Sequence, residues 1–150
     1  MEVLGYEVES WGVGEIWLDE DRVVNHELPR AGALERQREH EVIERIRAYF
    51  AGARVAFDDV ELDVDWATPF QARVAAALRA IPYSETVTYG ELAALAGHPN
   101  AQRAAGTFCA HNRFPLFVPC HRVVAADGLG SYGSLGLSYK RRLLELEGAL

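Results

Sequence analysis

Long apolar runs are missing from this chain. Although 49% of its 150 residues are hydrophobic, no stretch is long and apolar enough to span a membrane. The opening Met1-Glu2-Val3-Leu4 has no basic stretch leading into an apolar one, so no secretory signal is expected. Cysteine is scarce, with only Cys109 and Cys120. A chain of this length can bury a sizeable core without a disulfide staple, so two free thiols in a reducing, cytoplasmic setting are expected. Two cysteines and five scattered histidines make no zinc-ligand spacing. Neither a metal nor another cofactor is expected, and no membrane partner.

The net charge of −7 at first argues against a polyanionic partner. Its distribution changes that reading. Residues 1–69 carry 7 Lys/Arg against 17 Asp/Glu, a net −10, whereas residues 70–150 carry 8 against 5, a net +3. The second half can meet a polyanion while the first half keeps the chain soluble. Charge alone is equally consistent with an acidic half that serves solubility only.

The pattern of residues divides the chain near residue 67. In residues 1–67, "GYEVESWGVGEIWLDEDRVVNHEL" alternates as short strands, with Asp19-Glu20-Asp21 as a hairpin turn. "ALERQREHEVIERIRAYFAG" then has helical spacing at Val42, Ile43, Ile46, Tyr49 and Phe50, with Gly52 as its stop. "RVAFDDVELDVDW" alternates again and predicts a further strand. This half is an α+β unit without visible chemistry. In residues 68–150, Thr68, Pro69 and Gln71 open a helix with a capping box, Phe70, Val74, Leu78 and Ile81 make its apolar stripe, and Pro82 ends it. Thr88 and Glu91 cap a second helix that stops at Gly97. "NAQRAAGTFCAHN" predicts a third, with His98 or Asn100 near its cap. Two short helices joined by Gly-His-Pro fit a helix-turn-helix, and fit equally an ordinary helical pair. Ala101, Ala104, Ala105 and Gly106 leave the third helix bare on one side, with Arg103 standing out. The bareness suits close helix packing, and the arginine points to a ligand surface.

Chemistry concentrates in "HNRFPLFVPCHRVV". The flanking Leu116–Val118 and Val123–Val124 predict buried strand-like segments, with Cys120 at a turn close to the interior. Burial raises a thiol's pKa and disfavours the thiolate, unless a cationic or proton-accepting neighbour compensates. His121 is such a neighbour in sequence, and a bridging water would complete the link. On spacing alone, a reactive Cys120 and a merely buried one are balanced.

"PCHRV" with Asn112 upstream, "TYGELAALAGHP", "RAAG" and the final "KRRLLELEG" together resemble the O6-alkylguanine-DNA alkyltransferases, over about residues 68–148. The resemblance implies a small ribonuclease-H-like N-terminal domain, then a helical, winged-helix-like C-terminal domain with a helix-turn-helix. It implies that Cys120 accepts an alkyl group from the O6 atom of guanine, irreversibly and once. His121 would act as the base, Glu147 would orient it, Asn112 would brace the turn, and Tyr89 would donate a proton toward the departing base. Arg103 would fill the stack after the nucleotide is flipped out. Ala101, Ala104, Ala105 and Gly106, with Tyr89, would face the minor groove. Pro115, Val123, Tyr132, Gly133 and Ser134 would shape the base pocket. The partner implied is double-stranded DNA containing O6-alkylguanine, met by a monomer.

The chain departs from that family's pattern at Ser84, Thr107, Cys109, Arg113 and Gly133, and its late loop is one residue shorter before Tyr132. Taken singly, each site residue has a plainer reading: Glu147 a helix-end acid, Tyr89 a core aromatic, Arg103 a surface charge, Asn112 a helix cap, Cys109 packing. Three other functions compete. A non-catalytic damage binder of the alkyltransferase-like type would lack the cysteine. A Cys-His-Glu hydrolase would turn over. A transcriptional regulator would carry an effector-sensing domain.

Overall fold

The computed structural model describes residues 1–34 and 39–150. Among them it contains a three-stranded antiparallel sheet, a two-stranded parallel pair and five α-helices, a mixed α and β architecture. The chain forms two compact units, one of residues 1–63 with 113–117 and one of residues 64–112 with 118–150. The division thus falls a little before the expected residue 67. The Arg113–Phe117 segment, expected in the C-terminal domain, belongs with the first unit.

In the first unit β1 (Glu2–Val8), β2 (Gly12–Asp19) and β3 (Arg22–Arg30) pair in sequence order. Alternation turns Leu4, Tyr6 and Val8 of β1 and Ile16 and Leu18 of β2 into the core. Gly14 faces the Tyr6 ring so closely that a Cβ there would lie 2.4 Å from it, which explains a glycine in mid-strand. The helix α1 (Glu41–Phe50) is capped by His40, whose side chain accepts the Val42 N–H, and buries Ile43, Ile46, Tyr49 and Phe50. It starts later than the expected Ala33, and residues 35–38 of that stretch lie outside the described residues.

The alternation in residues 54–66 does not make a strand. Only an isolated bridge forms, where the Val23 N–H donates to Glu61 O and the Asp63 N–H to Val23 O, while Phe57, Val60 and Leu62 are buried. Burial on one side produced the pattern, although the backbone meets β3 at one bridge only. Farther along the same edge of β3, the His26 N–H donates to Arg113 O. These two segments cover an edge that would otherwise present open backbone groups.

His26 is the polar centre of this unit. Its Nδ1 donates to the Pro115 carbonyl at 2.7 Å, and its Nε2 accepts from the Tyr6 hydroxyl at 2.6 Å. A carbonyl cannot donate, so the neutral ring must carry its proton on Nδ1. Phe117 packs edge-on against the same ring at 5.1 Å.

The second unit opens with α2 (Pro69–Arg79), whose Thr68–Gln71 capping box is complete in both directions. Val74, Leu78 and Ile81 are buried along one stripe. Then follow β4 (Val87–Thr88), α3 (Tyr89–Leu95) with a complete Thr88–Glu91 box, and α4 (Gln102–Ala110). Gly97, at φ +85°, makes the turn after α3 in a conformation that only glycine adopts at low cost. The N-cap of α4 is Ala101, without a side-chain bond, rather than His98 or Asn100. A 3₁₀ turn at Cys120–Arg122 leads into β5 (Val123–Val124), and α5 (Gly136–Leu146) ends the fold. Val123–Val124 is the expected strand. Leu116–Val118 is not, because Leu116 adopts φ 78°, outside any strand conformation. Among the described residues no helix is long and apolar enough to cross a membrane.

Burial lowers the His26 pKa from 6.5 to about 4, against the opposing pull of the Pro115 carbonyl. The unfolded chain therefore binds a proton between those values that the folded chain refuses. His26 adds no penalty above pH 6.5, and stability should fall by about 3 kcal/mol as pH drops toward 4. Urea melts at pH 7 and pH 4 should show a smaller loss for His26→Gln than for the wild-type chain.

Candidate active site

Glu147, the C-cap of α5, is buried, and its carboxylate takes four donors. Oε1 accepts from Arg122 Nε at 2.9 Å and from the Ser84 N–H at 3.1 Å. Oε2 accepts from Arg122 Nη2 at 3.1 Å and from His121 Nε2 at 2.6 Å. The guanidinium is thus bidentate on the carboxylate, and its Nη1 also donates to the Ile81 carbonyl at 2.9 Å. Ser84 delivers its amide from φ 72°, a left-handed conformation that glycine would adopt at lower cost. Since Glu147 only accepts, the His121 proton sits on Nε2 and Nδ1 is the basic nitrogen. His121 is itself fully buried. Desolvation lowers its pKa, and the Glu147 hydrogen bond and charge oppose that shift.

One residue away, Cys120 opens the 3₁₀ turn, with its N–H donating to Val118 O at 2.8 Å. Asn112 Nδ2 donates both to the Val118 carbonyl at 2.8 Å and to Cys120 Sγ at 3.1 Å, tying the turn to the cysteine thiol. Burial pushes the Cys120 thiol up. Hydrogen bonding from Asn112, the charge of Lys140 and a hydrogen bond with Tyr132 pull it back.

Tyr89 arrives through β4. Val87 pairs with Val123 and Thr88 with Val124, so the start of α3 is registered against the residues that follow the cysteine turn. The Tyr89 ring lies between two glycines: a Cβ on Gly106 would sit 3.7 Å from it, and one on Gly130 would sit 3.1 Å away. Burial raises the Tyr89 pKa, and the neighbouring cysteines add to the rise.

Tyr89, Gly106, Cys109, Ala110, Cys120, Ser131, Tyr132 and Gly133 line a closed cavity of only about 10 Å³. An open cleft of about 780 Å³ shares Tyr89, Gly106, Ala110 and Ser131 with it and adds Arg103 and Thr107. Of the expected pocket residues, Tyr132 and Gly133 line the cavity, whereas Val123, Ser134 and Pro115 do not. Val123 is buried and Ser134 is exposed. Pro115 belongs to the first unit, where its carbonyl is taken by His26. The expected bare face of α4 also needs correction. Ala105 is fully buried and packs in the core, while Arg103 and Ala104 are exposed and Ala101 and Gly106 lie between. Ala101 is the N-cap, and a helix turns 100° per residue, so the consecutive Ala104, Ala105 and Gly106 point in three different directions.

Two site residues were missed by the sequence reading. Arg122 was noticed in the motif but given no role. Lys140 opens the "KRRLLELEG" motif but was likewise given no role, yet it is fully buried, with Nζ 2.5 Å from Val123 O, 3.2 Å from Ser131 O and 5.8 Å from the Tyr89 ring centre. Desolvation lowers its pKa. A signal existed, since Lys140, Leu143, Leu144 and Glu147 fall at helical spacing on the buried side of α5. Among the described residues no cluster of three or more His, Cys, Asp or Glu is arranged to hold a metal ion.

Removing Arg122 would leave Glu147 as a buried charge short of two donors. Arg122→Ala should cost about 3–5 kcal/mol in urea unfolding, and Arg122→Lys less, because charge survives while the bidentate geometry does not.

Comparison with known proteins adds to this geometry. Residues 69–149 match the DNA-binding domain of 6-O-methylguanine DNA methyltransferase. A methylated-DNA–protein-cysteine methyltransferase of Mycobacterium tuberculosis is 51% identical over 106 residues, 70% of this chain and 62% of the relative. The chain therefore spans less than two thirds of that relative's length. The protein of the same name from Methanopyrus kandleri is 47% identical over 112 residues, 74% of this chain and 82% of the relative. Among solved structures, the Mycobacterium tuberculosis OGT in complex with DNA superposes with a TM-score of 0.79 at 35% identity, covering 98% of this chain and 93% of that one. The O6-methylguanine-DNA methyltransferase of Pyrococcus kodakaraensis gives 0.74 at 25% identity, with 97% and 98% covered. The agreement of sequence over most of the chain with structure over nearly all of it leaves one conclusion: this chain belongs to the 6-O-methylguanine DNA methyltransferase family.

Proposed function

We propose that this protein repairs O6-alkylguanine in double-stranded DNA by moving the alkyl group onto Cys120, once per molecule. The observation that carries the reading is the Cys120 thiol held by Asn112, with a neutral His121 bound to Glu147 next to it in the chain. His121 Nδ1 takes the thiol proton through a bridging water, and Glu147 with Arg122 steadies the imidazolium that forms. The sulfur then attacks the alkyl carbon. An S–C bond forms, the bond from carbon to O6 breaks, and the electron pair goes to the base. Tyr89 donates its hydroxyl proton to the ring, so guanine leaves neutral, and the Lys140 charge beside Tyr89 favours the resulting phenolate. The thiol proton, relayed through the site, restores the tyrosine. A thioether resists hydrolysis, so the acceptor is consumed.

The closed cavity has no room for a base. Its Ser131–Gly133 wall must open, and Gly130 and Gly136 flank it at φ 82° and 84°. The open cleft beside it suits duplex DNA in the minor groove, with exposed Arg103 filling the stack left by the flipped nucleotide. Ala101, Ala104 and Gly106 are the small residues that would let the helix approach. On this reading α3 and α4 are the helix-turn-helix of a winged-helix-like domain, and the β1-β2-β3 meander with α1 is the ribonuclease-H-like domain. Every proposed group comes from one chain, so a monomer suffices. A reducing, cytoplasmic setting is one in which the thiol persists.

Incubation with duplex DNA carrying one O6-methylguanine should add one methyl group, confined to the Cys120 peptide by mass spectrometry and absent from Cys120→Ala. Tight lesion binding without an adduct would mean a non-catalytic damage binder instead.

The pH profile follows from His121. The base must be neutral, and burial lowers its pKa, so it stays neutral at pH values where an ordinary imidazole is half protonated. Single-turnover methyl uptake should hold steady as pH falls through 6.5 and drop only below it. A midpoint at or above 6.5 would remove His121 from the role of base.

A further inference from the structure

Alkyl transfer uses one of the two thiols in the chain and leaves Cys109 without a task. Cys109 lies on α4 one turn after Gly106 and is half-buried. With Gly106 and Ala110 it forms the α4 wall of the same closed cavity that Cys120 lines. That cavity, about 10 Å³, has room for about one water. The two thiols sense each other electrostatically. Burial pushes Cys109 up most, a charge on Cys120 pushes it further, and Lys140 pulls it down.

A thiol held protonated in this way is a poor first nucleophile and does not compete for alkyl groups. It can still attack an oxidised sulfur beside it. Hydrogen peroxide is scarcely larger than water and can enter where a base cannot. Taking Cys120 as the nucleophile of the site, we propose that Cys109 is its resolving thiol, which closes a Cys109–Cys120 disulfide after a peroxide has oxidised Cys120.

The steps balance. The peroxide O–O bond breaks, one oxygen goes to Cys120 Sγ as a sulfenic acid, and the other leaves as water. Cys109 Sγ then attacks Cys120 Sγ, the S–S bond forms and the S–O bond breaks. The hydroxyl leaves with the Cys109 proton as a second water. Two thiols lose two electrons and one hydrogen peroxide gains them. A dithiol reverses the bond, so the nucleophile escapes sulfinic and sulfonic acid and is silent only while oxidised. Glycines at 106 and 133 in the cavity lining put no side chain in the way of the approach.

The test treats the reduced full-length protein with hydrogen peroxide in the absence of DNA. Intact mass and non-reducing peptide mapping should show loss of two hydrogens and a linked Cys109–Cys120 peptide pair. Dithiothreitol should restore both the original mass and methyl uptake from O6-methylguanine DNA. Under the same treatment Cys109→Ser should gain two or three oxygens on Cys120 and lose, irreversibly, most of its own untreated uptake. Two or three added oxygens on wild-type Cys120, or a disulfide between two molecules, would overturn the proposal. Methyl uptake by the untreated protein is scored separately, so a failure of alkyl transfer is not mistaken for a failure of disulfide closure.

Discussion

A carboxylate without water needs donors, and Glu147 finds four within one unit of the chain. Arg122 supplies two, His121 one and the Ser84 backbone one, which draws the cysteine turn, the loop after α2 and the end of α5 onto a single group. Much of the remaining site geometry follows from this knot. It sets the His121 tautomer, leaves Nδ1 as the basic nitrogen and holds the 3₁₀ turn that presents Cys120. The cost of burying a charge is offset only when every partner stays in place, so the same interaction makes the site rigid.

Much of this was legible in the chain. The capping boxes at Thr68–Gln71 and Thr88–Glu91 are local chemistry, and both formed as read. The strands of residues 1–30 followed from strict alternation. The stretch 54–66 failed because alternation reports burial on one side, and Phe57, Val60 and Leu62 are buried while the backbone meets β3 at a single bridge, Val23 with Leu62. The bare face of α4 failed for a geometric reason, since small residues in consecutive positions point around the helix and Ala105 went to the core.

At the site, Cys120, His121, Glu147 and Asn112 do meet, because the motif holds the first two together and Asn112 and Glu147 bond to them. Pro115 does not join them, since its carbonyl is committed to a buried histidine that no local pattern links to it. Lys140 was hidden for a different reason. A lysine within "YKRR" reads as one more surface cation, and only its place on the buried stripe of α5 separates it from Arg141 and Arg142, which are exposed. The Pro115–His26 partnership, by contrast, spans 89 residues and leaves no trace in spacing.

The parallel pairing of β4 with β5 is two residues long, and it is the link that registers Tyr89 against the cysteine turn. The spacing of Tyr89 and Cys120 along the chain is therefore read through Val87–Tyr89 on one side and Cys120–Val124 on the other. The loop from Ala126 to Tyr132 lies outside the paired residues, so a change in its length does not of itself shift that register. A single residue added inside either short strand would instead turn each following side chain to the opposite face.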